Sequence, residues 1–130
     1  MRLSETIQTA DWKKEKHAPV IEAPEEVKAG EVFTVKAGLG KEIAHPNTTE
    51  HHIAWISLYF KPEGSNFTHQ IAHFEFWGHG ESTSGPNKGP VYAEPQVEAS
   101  IKLNESGTIM AVAFCNIHGL WESSKEIKVS

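Results

Sequence analysis

Val97-Glu98-Ala99-Ser100-Ile101-Lys102-Leu103 alternates apolar and polar residues without a break. Successive side chains of an extended chain point to opposite faces, so this pattern belongs to a strand with one face buried. Asn104-Glu105-Ser106-Gly107 follows, a run of turn formers that predicts a hairpin. Ile109-Met110-Ala111-Val112-Ala113-Phe114 is then apolar throughout, as in a strand buried on both faces. These residues set the chain on a β course.

The same signals recur on either side. Phe33, Val35 and Ala37 alternate with Val32, Thr34 and Lys36, and Gly38 and Gly40 mark a turn. Residues 53–60 are apolar on both faces, Ile53, Trp55 and Tyr59 against Ile56, Leu58 and Phe60, which predicts a strand covered by the core and by a second subunit. Lys61-Pro62-Glu63-Gly64 predicts a hairpin turn, and residues 67–77 its returning strand. Val20-Ile21 opens a strand that Pro24 ends, and residues 126–129 form a last short one. Ser4 caps a short helix over residues 4–8. Residues 41–50, with Pro46-Asn47, and the Gly- and Ser-rich residues 78–90 are loops. The expectation is an all-β chain, a seven-stranded antiparallel, immunoglobulin-like β-sandwich, with residues 1–130 as one domain.

A chain of 130 residues can bury a core without disulfide staples. Its net charge of −5, with no Lys/Arg cluster, argues against nucleic acid and anionic membrane as partners. One cysteine cannot form an internal disulfide, so no oxidising compartment is required. Met1-Arg2-Leu3-Ser4-Glu5 has no apolar signal core, and no window reaches membrane-span length. A cytoplasmic location is therefore expected.

Eight histidines are many for this length. His118 follows Cys115 by three residues in Cys115-Asn116-Ile117-His118-Gly119-Leu120-Trp121, a spacing at which thiolate and imidazole can grip one ion from a tight turn. Backbone N–H groups within such a turn stabilise the thiolate. A lone cysteine is also often a small buried hydrophobe. His17 precedes Ala18-Pro19, His45 precedes Pro46, and His51-His52 stand where a loop becomes a strand, all places where side chains can converge. Adjacent strand residues point apart, so only one of His51 and His52 joins a given site. Four histidines and one cysteine then remain, more than a structural zinc takes; iron, zinc or copper suits this set. His69, His73 and His79 read as surface or hydrogen-bonded histidines.

Three of these segments together resemble the superoxide reductase family, also called neelaredoxin, and the iron domain of desulfoferrodoxin. They are Glu15-Lys16-His17-Ala18-Pro19, then Lys41-Glu42-Ile43-Ala44-His45-Pro46-Asn47-Thr48-Thr49-Glu50-His51-His52-Ile53, and the Cys115 stretch. Gly78-His79-Gly80-Glu81-Ser82 also resembles the family. The resemblance implies one non-haem iron per chain with His17, His45, His51 and His118 as imidazole ligands and Cys115 as the opposite thiolate. It implies Glu15 as a carboxylate that can fill the sixth position when the iron is oxidised, and Lys16 beside the open position. It further implies reduction of superoxide to hydrogen peroxide without release of dioxygen, a rubredoxin-like electron donor, and a homotetramer. No N-terminal cysteines are present, so the chain is similar to the one-iron form. The competing readings are a non-catalytic iron electron-transfer or metal-binding sandwich, a zinc-stabilised binding module, and a dismutase that also makes dioxygen.

Overall fold

In the computed structural model, which describes residues 1–130, eight strands follow in chain order. They are β1 (Val20–Glu22), β2 (Glu26–Val27), β3 (Phe33–Gly38), β4 (Ile53–Pro62), β5 (His69–Glu75), β6 (Gln96–Ile101), β7 (Gly107–Cys115) and β8 (Gly119–Val129). They form two sheets, one ordered β1-β3-β6 and the other β2-β8-β7-β4-β5. Alternation decides which side chains face inward. Gly107, Ile109, Ala111, Ala113 and Cys115 are buried along β7, and the residues between them are half-buried. These inward residues meet Ile56, Leu58 and Phe60 of β4, Ile127 of β8, and Val35 and Ala37 of β3 in one apolar cluster. The two sheets thus face each other across a single core, the arrangement that lets each bury one apolar face.

The β fold agrees with the sequence expectation, with four corrections. There are eight strands rather than seven, and they are not all antiparallel: β2 runs parallel to β8, with Glu26 opposite Lys128. A two-residue strand held by backbone hydrogen bonds has no periodicity to read. Residues 104–107 do not close a hairpin, because β6 pairs with β3 whereas β7 pairs with β4 and β8. An arch between facing sheets satisfies the same alternation and the same turn chemistry as a hairpin. The last strand is not confined to residues 126–129. β8 pairs with β7 from Gly119 to Ile127, so the ladder, not the apolar pattern, carries the polar stretch at residues 122–125. The N-terminal helix is one 3₁₀ turn, Leu3–Glu5, without a side-chain cap from Ser4. The chain is drawn off instead toward β8, where the Gln8 N–H donates to the Leu120 carbonyl at 2.9 Å.

Gly107 lets β7 lie close to β4. A Cβ there would meet the Lys61 carbonyl oxygen at 2.3 Å and the Phe60 ring at 2.6 Å. Neither backbone nor packed ring can yield cheaply. Gly107→Ala is expected to cost about 1–3 kcal/mol of stability, the range for overpacking, measured by urea denaturation.

Candidate metal centre

The inward alternation of β7 ends on Cys115, which is fully buried at the end of the sandwich. The chain turns at once through Asn116, Ile117 and His118, and Gly119 pairs back with Cys115. Gly119 closes this turn at φ +80°, a conformation that strains any residue with a Cβ. The turn directs the His118 N–H at Cys115 Sγ, 3.4 Å away, and brings His118 Nδ1 to 3.7 Å from the sulfur.

Two loops supply the other imidazoles. His17 is 5 % exposed, and its Nδ1 lies 2.7 Å from Glu15 Oε1. His45 Nδ1 lies 2.7 Å from the Pro46 carbonyl oxygen. His51 is seated by a local turn in which its N–H donates to Thr48 Oγ1 at 3.0 Å. The four rings form a closed circuit in the order His17, His45, His51, His118. Neighbouring centroids lie 4.8, 4.9, 5.0 and 4.6 Å apart, and the His17–His51 diagonal is 6.2 Å. One donor atom from each of His17, His45, His51 and Cys115 lies within 4.8 Å of the others. His118 falls outside that tighter set, but its Nδ1 is 3.0 Å from His17 Nε2.

The charge state of the circuit follows from its crowding. Burial pushes the His45 imidazolium pKa down to about 4, assisted by neighbouring His17, His51 and Lys16. Burial likewise lowers His51, with His118, His17 and Lys16 adding to the effect. Neutral imidazoles each carry one lone pair. His45 Nε2 and His51 Nε2 are buried with no hydrogen-bond partner, and with His45 Nδ1 facing the Pro46 carbonyl the lone pair of that ring sits on Nε2. Burying such an atom unpaired is costly. A cation coordinated by these nitrogens and a thiolate satisfies them together, so the donor set fits a borderline-soft metal ion.

The remaining candidates are placed as follows. The Glu15 carboxylate is turned toward His17, accepting from its backbone N–H at 3.1 Å as well as facing its ring. The hydrogen bond from the His17 ring, with that from its backbone N–H, holds Glu15 below the usual carboxylate range. His52 turns away from the circuit and stacks on His79 with centroids 3.5 Å apart. His73 contacts Ser57 and Glu75 on the β5 edge, and His69 is exposed there. Two neighbours of the centre were not assigned a role from sequence. Trp121 stacks on His17 at 4.9 Å and donates its indole N–H to the His118 carbonyl at 3.2 Å. His79 is buried beneath the loop that carries His45 and His51. Its flanking glycines were the available signal: a Cβ on Gly78 would strike Val91 at 2.6 Å, and one on Gly80 would strike Tyr92 at 2.5 Å.

A family model described as desulfoferrodoxin matches residues 9–124. Neelaredoxin of Megalodesulfovibrio gigas is 55 % identical over 98 % of this chain and 98 % of its own. Superoxide reductase of Pyrococcus furiosus is 54 % identical over 93 % of this chain and 95 % of its own. The reduced superoxide reductase (neelaredoxin) structure from Archaeoglobus fulgidus superposes with a TM-score of 0.87 at 51 % identity, covering 95 % of this chain and 98 % of that one.

The depressed His45 pKa predicts a pH dependence for the metal-free protein. An unfolded imidazole takes up a proton near the ordinary value of 6.5, whereas folded His45 resists until about 4. The unfolded state therefore binds more protons in that interval, and stability falls as pH drops through it. Urea midpoints of the metal-free protein are expected to decline from pH 7 to pH 4.5, and His45→Gln to flatten the decline. A parallel decline in that variant refutes the assignment.

Proposed function

This chain belongs to the desulfoferrodoxin family, and on that premise we propose that it reduces superoxide to hydrogen peroxide at one non-haem iron held by His17, His45, His51, His118 and Cys115. What supports a cation there is the pair of buried, unpaired nitrogens of His45 and His51 beside a buried sulfur. Iron held there would supply the electron, so that superoxide, one electron and two protons would give hydrogen peroxide and no dioxygen. The protein's own groups prepare that step. Cys115 provides an anionic ligand, and the His118 N–H donating to its sulfur stabilises the thiolate. Glu15 and the Pro46 carbonyl engage the Nδ1 atoms of His17 and His45, which leaves Nε2 as the lone-pair nitrogen of each ring, unpartnered in His45 and facing His118 Nδ1 in His17.

Glu15 and Lys16 are the catalytic side chains in this proposal. Lys16 places positive charge near His45 and His51. It draws the superoxide anion inward against the net −5 of the chain. Glu15 is the carboxylate available to the oxidised site once it leaves His17. A rubredoxin-like protein restores the electron. The chain acts as a single domain, an immunoglobulin-like sandwich, in the cytoplasm. No helix is long and apolar enough to cross a membrane. A homotetramer accounts for Trp55, Tyr59, Met110 and Phe114, which lie only half-buried on the outer side of β4 and β7.

Iron-loaded protein with reduced donor is expected to form one hydrogen peroxide per superoxide consumed; half that yield, with dioxygen, identifies a dismutase and sinks the proposal. Cys115→Ser is expected to keep the fold and to lose the visible thiolate-to-iron absorption, since a hydroxyl is a poor substitute for a soft anion.

Lys16→Ala is expected to slow second-order reduction by about tenfold, the low end of electrostatic steering, with iron content and spectrum unchanged. The wild-type rate should also fall as salt rises, and less so in the variant, because the Debye length is only about 8 Å at physiological salt. Pulse radiolysis at two ionic strengths makes the measurement, and equal rates reduce Lys16 to an ordinary surface lysine.

A further inference from the structure

We propose that His79 is a positioning residue for the metal centre: from the loop between β5 and β6 it fixes the segment 45–52 that carries His45 and His51. The proposal rests on the assignment of those two histidines as ligands. His79 is 3 % exposed, and its hydrogen bonds and ring stacking go to residues other than the proposed ligands. Its backbone is hydrogen-bonded at both N–H and carbonyl, and its two ring nitrogens face oxygen acceptors, of which a neutral ring donates to one. Nδ1 lies 3.0 Å from Asn47 Oδ1, and Nε2 lies 2.9 Å from the Phe76 carbonyl oxygen. The Asn47 amide is oriented by its own Nδ2, which donates to the Ala93 carbonyl at 3.0 Å. The His79 N–H donates to Glu81 at 2.7 Å, and its carbonyl accepts from Thr49 Oγ1 at 2.7 Å. The ring lies flat on His52, with 5° between the planes.

These contacts grip the ligand segment at two points, Asn47 two residues after His45 and Thr49 two residues before His51. Asn87, in the same loop as His79, adds a third. It takes φ +61°, accepts from the Thr49 N–H at 2.8 Å, and donates from Nδ2 to the Glu50 carboxylate at 2.8 Å. The segment has no strand ladder of its own; its other outside tether is Asn116, in the Cys115 hairpin. Without the His79 and Asn87 bonds, the loop would have to be ordered at the expense of metal binding. A group that merely stabilised the sandwich would lower the melting temperature and leave the ion's affinity alone.

Cobalt(II) titration of the metal-free protein, read by the thiolate-to-cobalt absorption, separates these roles. His79→Phe keeps the ring on His52 and removes both ring polar contacts. Asn87→Gly keeps the left-handed backbone and removes the amide. Ile109→Ala, in the core, serves as a control that loses stability away from the site. The expected result is a cobalt affinity roughly tenfold weaker in His79→Phe, the low end for groups that orient ligands. A smaller weakening is expected in Asn87→Gly and none in the core variant. Wild-type affinity in His79→Phe, or a loss no greater than that of Ile109→Ala, overturns the positioning role. If His79→Phe does not fold, an unchanged affinity in Asn87→Gly overturns it. Absence of the absorption in wild type itself overturns the metal site, and the positioning role with it.

Discussion

His45 Nε2 and His51 Nε2 are buried with no hydrogen-bond donor in reach, and the rest of the structure is built around that condition. Four imidazoles whose neighbours stand 4.6–5.0 Å apart cannot all carry protons. Burial and mutual repulsion therefore hold His45 and His51 in the neutral form that offers a lone pair. A ring that keeps one nitrogen unprotonated must be held by the other, and Glu15 and the Pro46 carbonyl do this for His17 and His45. The same constraint sets the local electrostatics. Glu15, two residues before His17, spends its charge on that histidine. Lys16 remains as an unpaired positive charge beside His45 and His51.

The sandwich and the loops divide the work. β7 and β8 deliver Cys115 and His118 on a closed hairpin, where register fixes geometry. His17, His45 and His51 come from segments without strands. Loops place functional groups well only when a rigid scaffold holds them. Here the holding is specific: Trp121 from β8 against His17, Asn116 from the hairpin against the Glu50 carbonyl, and His79 and Asn87 against residues 47–50. Residues outside the circuit thus hold in place the loops that carry its imidazoles.

Unbroken apolar runs marked β4 and β7, and only the fold showed that Ile109, Ala111 and Ala113 face inward; alternation by itself determined that the chain is β and where β3 and β6 run. Those features depend on side chains two residues apart, and a sequence displays that spacing directly. The candidate residues of the centre were also legible, because Cys115 and His118 share one turn and the other histidines stand at loop edges and match known motifs. Tertiary structure alone decided which sheet each strand joins. It turned the predicted hairpin at residues 104–107 into an arch and paired two-residue β2 with β8, since backbone hydrogen bonds carry no residue signature. It also decided the status of His79. Gly78 and Gly80 mark close packing around it, but they do not show what His79 packs against. Its partners Asn47, Thr49 and His52 lie some thirty residues away in the chain, and only folding brings them within hydrogen-bonding and stacking distance.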